Sequence, residues 1–238
     1  MRKQHAQRPM STHSPILKRP FILTEDEIAT ILRYATEEYQ PPEALRHFGV
    51  ILAVLALTGA RVWEVLGLRV ADVDLRAGAV HIAPNQYRDL KSPRHARSIQ
   101  MAPQMHGILR TYLAWPERSG DELLFPGPGG ASEIERVLQL LQRCWRDMPM
   151  PARLERWMAV RQSASRQSAI QAPRRSLALG VLRRSWMLAR LRRLAPWDRE
   201  GLCVLAEDMG YSDRVMRRMI DDLIRHHLCG EWSVEFRW

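Results

Sequence analysis

Residues 56–82 read ALTGARVWEVLGLRVADVDLRAGAVHI. Thr58 and Gly59 end one apolar helix, the glycine serving as its C-cap. Arg61 stands just behind that turn and opens a short amphipathic helix, Val62 to Leu68. The period then changes: GAVHIAP alternates like a strand, and ARSIQMAP, beyond the polar loop NQYRDLKSPRH, does the same. The pair is expected to form a small antiparallel sheet.

Upstream, a helix from about Glu43 to Thr58 is apolar nearly all round and should be buried. Before it, LTEDEIATILRYATEE carries a capping box, Thr24 with Glu27, followed by Ile28, Ile31, Leu32 and Ala35 at helical spacing. Residues 1–20 are polar, basic and interrupted by prolines, which predicts a flexible basic arm. Downstream, Pro103 starts a helix through about Trp115, ELLFPGPGG is extended, and Ser132 with Glu135 caps another helix. An Arg-rich insertion covers about 149–173, and helices resume at Leu177 to Leu194, Arg199 to Met209 and Asp213 to His227. The fold class is therefore mostly α with a small antiparallel β-sheet, α+β, in one domain over 21–238.

The 238 residues carry 36 Lys and Arg against 26 Asp and Glu, a formal charge of +10 that calls for a polyanionic partner. The excess is regional: Arg143 to Arg199 holds fourteen arginines, no lysine and three acids. The longest apolar run, Gly49 to Leu57, is too short for a membrane span, and the opening residues lack a secretory h-region, so a cytoplasmic, nucleoid-associated location is expected. Three scattered cysteines, Cys144, Cys203 and Cys229, make no disulfide framework. His226, His227 and Cys229 cluster in RHHLCG, but adjacent helical histidines diverge, so no metal site is expected. Gly127, Gly129 and Gly130 lack the Lys-Ser/Thr of a phosphate loop.

In sequence order, the Thr-Gly-x-Arg turn, the Glu64-bearing helix, the D-hydrophobic-D step at Asp72 to Asp74 and LKSPRHARSIQMAP resemble the tyrosine recombinases, the phage integrase family. FILTEDEIATILRYA is similar to the opening helix of their catalytic domain, and LLFPGPGG to the segment after the sheet. The resemblance covers about 21–130, then 177–225 more weakly. It implies a catalytic-domain-like fold, duplex DNA as partner, a homo-oligomer or partner recombinase, and no cofactor or small-molecule substrate. In that family a tyrosine attacks a DNA phosphodiester while fixed cations hold the charge on the non-bridging oxygens. Carried over, Arg61 is the first phosphate-gripping arginine, Lys91 the hairpin lysine, and Arg183, in LGVLRRSWMLARL, the second arginine. MGYS resembles the third box, with Tyr211 at its histidine or tryptophan position.

Departures from the pattern fall on the chemistry. Gly180 stands where the second-box histidine is expected, and Ile220 where the nucleophilic tyrosine is expected. Fewer than about 25 residues precede the domain, so the family's N-terminal core-binding domain is expected to be absent. No catalytic residue is therefore assigned. Arg61, Lys91, Arg94, Arg97, Arg183, Arg184 and Tyr211 are the candidate DNA contacts. Plainer readings stand beside these: Arg61 pairing with Glu64 or Asp72, a solvated Lys91, and Trp145, Trp157, Trp186 and Trp197 as core or as stacking platforms for bases. Leu182, Trp186 and Ala189 share one helical face and suit the core. The function expected is a cleavage-deficient DNA-binding accessory of recombination, integration or a mobile element. The alternatives are an active recombinase with a partner-supplied nucleophile, and a basic module for protein or RNA.

Overall fold

The computed structural model describes residues 21–42, 45, 47–90, 95–114, 122–126, 134–156, 179–194, 198–210 and 218. Helix α1, Glu25–Arg33, begins at the expected box: Glu27 N donates to Thr24 Oγ1 at 3.1 Å and Thr24 N donates to the Glu27 carboxylate at 2.8 Å. Its last turn widens into a π-helical turn, Tyr34–Glu38. Helix α2, Phe48–Thr58, is the hydrophobic centre, with Phe48, Ile51, Leu52, Ala53 and Val54 wholly buried. It starts later than Glu43, the expected position. Leu45 N donates to Pro42 O in a separate turn, and His47 supplies no side-chain cap, so the apolar run alone fixes no sharp beginning.

Helix α3, Val62–Leu66, also ends before Leu68, the expected position. Gly67 closes it, and the backbone of Leu68 to Val70 turns to pair with 122–126: Leu124 N donates to Leu68 O at 2.6 Å and Val70 N to Glu122 O at 3.0 Å. Strands β1 (Val73–Asp74), β2 (Ala79–Ile82) and β3 (Arg97–Gln100) form the expected antiparallel sheet in the order β1-β2-β3. Val73 faces Val80 and Val80 faces Ile99, so one side of the sheet lies on the core. Gly78 turns between β1 and β2 with φ +65, while Ala77 N donates to Asp74 Oδ1.

Helices α4 (Pro103–Leu113), α5 (Ile134–Asp147), α6 (Gly180–Arg192) and α7 (Arg199–Met209) complete the described body, with a further helical turn at 152–156. Trp145 is fully buried on α5, the core role rather than the stacking one. Leu182 is fully buried, with Trp186 and Ala189 half-buried on the same helix. A second cluster, Met187, Leu188 and Leu191 of α6 with Leu202, Leu205 and Met209 of α7, binds these two helices together. Leu23 N donates to Ser185 Oγ at 2.8 Å, tying the start of the described chain to α6. The cap at Ser132 and Glu135, Trp157, Trp197, residues 157–178 and the helix expected over 213–227, Arg218 excepted, lie outside the described residues. Among the described residues no helix is long and apolar enough to cross a membrane.

Candidate functional site

Chain geometry at the end of α2 places Arg61. Thr58 Oγ1 donates to Val54 O at 2.6 Å and accepts from Ala60 N at 3.1 Å, while Gly59 adopts the left-handed conformation, φ +63. A Cβ on Gly59 would lie 2.5 Å from the Trp186 ring, so packing and backbone both require glycine here. Arg183 and Trp186 are three residues apart on α6 and therefore share a face. They grip the turn together, Arg183 Nη1 donating to Gly59 O and Trp186 Nε1 to Leu57 O. The extended residue that follows the turn, Arg61, is the N-cap of α3.

Glu64 is the hub. It is 4% exposed and lies at the third position of α3, reaching back to accept from Arg61 N at 2.7 Å. Arg61 Nη1 donates to Glu64 Oε1 at 2.8 Å, and Arg97 grips both oxygens through Nη1 and Nη2 at 3.0 and 2.7 Å. Arg183 Nη1 is 4.0 Å from the same carboxylate. Burial pushes the Glu64 carboxyl up, but the hydrogen bonds and charge of Arg97 and the bonds from Arg61 outweigh it and hold the group at about 2.

The C-terminus of α7 closes the site. Three successive carbonyls accept from three different arginines: Asp208 O from Arg97 Nε at 2.7 Å, Met209 O from Arg183 Nη2, and Gly210 O from Arg61 Nη2 at 3.0 Å. The negative end of the helix dipole suits these cations. Gly210 caps α7 with φ +57, where a Cβ would meet Arg97 Nη1 at 2.8 Å. Three guanidinium groups thus surround one carboxylate. Arg97 and Arg183 have side chains only 5% and 10% exposed, whereas that of Arg61 is 36% exposed and forms the rim.

Arg61 and Arg183, expected together, are brought together. Arg97, expected among the DNA contacts, has its guanidinium buried against Glu64. It shares the face of β3 that carries Ile99, and its guanidinium binds Glu64, Asp208 O and His95 O. Side chains two apart in a strand point the same way, so Ile99 in the core already signalled an inward Arg97. Asp72, considered as an alternative partner for Arg61, pairs with Arg69 at 3.1 Å and Arg88 at 3.2 Å. Arg88 is a structural residue that the sequence reading missed. It is 4% exposed, donates to Glu64 O and Ala83 O as well as Asp72, and roots the 83–90 segment on α3. Arg184 is half-buried beside Arg183 on α6. Gly180 is not imposed by packing, since a Cβ there would make only an ordinary 3.5 Å contact with Arg184 Nη1. Lys91, Arg94, Tyr211 and Ile220 lie outside the described residues, as do His226, His227 and Cys229. Among the described residues no group of three His, Cys, Asp or Glu is placed to hold a metal ion.

This helical body with a three-stranded antiparallel sheet has the fold of solved recombinase and integrase structures. Solved structures similar to this chain include XerH site-specific recombinase bound to palindromic difH substrate, with a TM-score of 0.55 and 16% identity, covering 92% of this chain and 54% of that one. XerA recombinase aligns with a TM-score of 0.50 and 20% identity, over 94% of this chain and 66% of the other. The Tn1549 transposon integrase in complex with transposon right end DNA aligns with a TM-score of 0.50 and 15% identity, over 86% and 62%. The chain therefore spans between about half and two thirds of the length of these structures. No protein-family model and no curated protein matches the sequence. At these identities the likeness establishes the fold.

Proposed function

We propose that this protein binds duplex DNA through its backbone phosphates and does not cut it, serving as an accessory or regulatory factor in recombination, integration or the upkeep of a mobile element. The observation that carries this reading is the convergence of three arginines on Glu64, with Arg61 at the exposed rim and Arg183 behind it. A planar, permanently charged fork suits a phosphate's oxygens. Lys91, Arg94, Arg184 and Tyr211 extend the contact surface in this reading, and Arg97 positions Glu64 rather than touching DNA. Inertness rests on Ile220 and Gly180: an alkyl side chain has no lone pair with which to attack phosphorus, and glycine no ring to move a proton. XerH and the Tn1549 integrase, bound to DNA in their structures, support duplex as the ligand. The protein would act at the nucleoid in the cytoplasm, as a homo-oligomer or beside a partner recombinase.

A nicked suicide duplex tests inertness. The expected result is retarded DNA with no covalent adduct on a denaturing gel. An adduct that disappears in Tyr211→Phe, or that forms only with a second recombinase present, would establish instead a working enzyme with an unconventional or partner-supplied nucleophile. The persistence of the arginine pair is what favours that second reading.

A further inference from the structure

Helix α6 carries Arg183, Trp186 and Arg190 at spacings of three and four residues, so the three share one face. The bonds of Arg183 to Gly59 O and Met209 O already join that face to both sides of the site. Trp186 and Arg190 repeat the pattern one and two turns further on. The indole donates to Leu57 O at 2.9 Å, and its ring lies 2.5 Å from the point where Gly59 would carry a Cβ. Leu57 is the last residue but one of α2, and the closing carbonyls of a helix find no donor within it. Trp186 therefore caps α2 from another helix. The Arg190 guanidinium lies 5.5 Å from the indole centroid, within cation–π reach, and 3.4 Å from the Asp208 carboxylate of α7. Met187 and Leu188 are buried in the core, whereas Trp186 is only half-buried, so filling the core does not account for it.

The same two elements hold Arg61 at both of its ends. Its backbone leaves the Gly59 turn as the N-cap of α3, and its Nη2 donates to Gly210 O, two residues beyond Asp208. One face of α6 thus fixes both the turn from which Arg61 springs and the helix end on which its guanidinium rests.

We infer that Trp186, with Arg190 over its ring, is a positioning residue for the phosphate contact at Arg61. This inference rests on the DNA-binding reading and adds to it two side chains that act through Arg61. Without them the Gly59 turn samples other arrangements, and binding is weakened by the fraction of molecules in the competent one. The loss of one net hydrogen bond sets the scale, about 2- to 10-fold in affinity.

A double-mutant cycle with Arg61→Ala tests it, reading the duplex affinity of full-length protein by fluorescence anisotropy. Trp186→Phe keeps a ring against Gly59 and removes the donor to Leu57 O, and should weaken duplex binding by about 2- to 10-fold. In the Arg61→Ala background the same substitution should change nothing, because the group it positions is gone. Arg190→Gln alters a side chain that is 46% exposed and so leaves folding intact. It should weaken binding by about 2- to 5-fold with the same dependence on Arg61, and it carries the test alone if circular dichroism shows Trp186→Phe to be unfolded. Damage to the fold at large would weaken binding with or without Arg61. Equal weakening in both backgrounds therefore overturns the inference, as does an unchanged affinity in the folded variants. In either case duplex binding that falls in Arg61→Ala shows that the DNA-binding reading survives. Arg61→Ala without effect on a wild-type protein that binds duplex overturns the inference alone, and a wild type that binds no duplex removes that reading and the inference together.

Discussion

Replacing Glu64 by Gln removes the charge on which Arg61, Arg97 and, at 4.0 Å, Arg183 converge, with little change in volume. A carboxyl held at about 2 in the folded protein against its ordinary 4.5 contributes about 3 kcal/mol at neutral pH. Removing one partner of a buried ion pair independently suggests about 3 to 5 kcal/mol, because the remaining cations are left uncompensated. The two figures agree, and both are large against a typical total of about 5 to 15 kcal/mol. The pH dependence has a defined sign. A depressed folded pKa gives stability that is complete above the unfolded value and lost as pH falls through the folded one, so the window lies between about 4.5 and 2. About 2 kcal/mol of the contribution should be gone by pH 3. Urea unfolding of wild type and Glu64→Gln at pH 7, 4 and 3 isolates this residue, since every other carboxylate titrates in both proteins. Expected are a deficit of about 3 kcal/mol at pH 7, or about 6 to 12 °C in Tm, and a gap that narrows toward pH 3. A deficit below about 1 kcal/mol at pH 7, or a gap independent of pH, would refute Glu64 as the electrostatic hub.

Two further outcomes follow from the same geometry. Arg61→Ala should weaken duplex binding evenly across sequences and reduce the slope of log K against log salt by about 1, measured by anisotropy from low to moderate salt; an unchanged slope would remove Arg61 from the phosphate contacts. Gly59→Ala combines a left-handed backbone with a 2.5 Å approach to the Trp186 ring, and should cost at least about 2 kcal/mol by urea unfolding, where a surface glycine would cost far less.

What was legible in the sequence was whatever had a local cause. The Thr24 and Glu27 box, the Gly59 cap, the alternation of residues 79–82 and 97–100 and the limits of α7 each depend on residues within a few positions of one another. The start of α2 was not legible, because the residues before Phe48 carry no capping side chain and the preceding turn is set by Pro42. Nor was the early end of α3, since the 122–126 segment that captures Leu68 and Val70 lies more than fifty residues away. Arg88 illustrates the same limit more sharply. In NQYRDLKSPRH it reads as one more solvated cation, and only Asp72 and the carbonyl of Glu64, brought up by the fold, make it a buried brace. The site itself was half legible. Arg61 and Arg183 were paired through the resemblance, but the role of the α7 carbonyls needed coordinates, because a helix C-terminus carries no side-chain signature for what it will accept.

The contact between Arg61 and Glu64 is the plain ion pair that a cautious reading of a lone arginine predicts, yet it does not reduce the site to a helix cap. An isolated pair is neutral, and its arginine has no charge left to offer. Here Arg97 already satisfies Glu64 through both oxygens and is itself buried. Arg61 and Arg183 therefore share what remains of one carboxylate, together with the partial charges of the α7 carbonyls. That arrangement holds the two guanidinium groups in fixed positions. Arg183 lies too deep to meet a ligand alone, so an arriving phosphate would encounter Arg61 first and feel the charge behind it. Cations preorganised in this way suit a phosphate whether or not a nucleophile stands beside them.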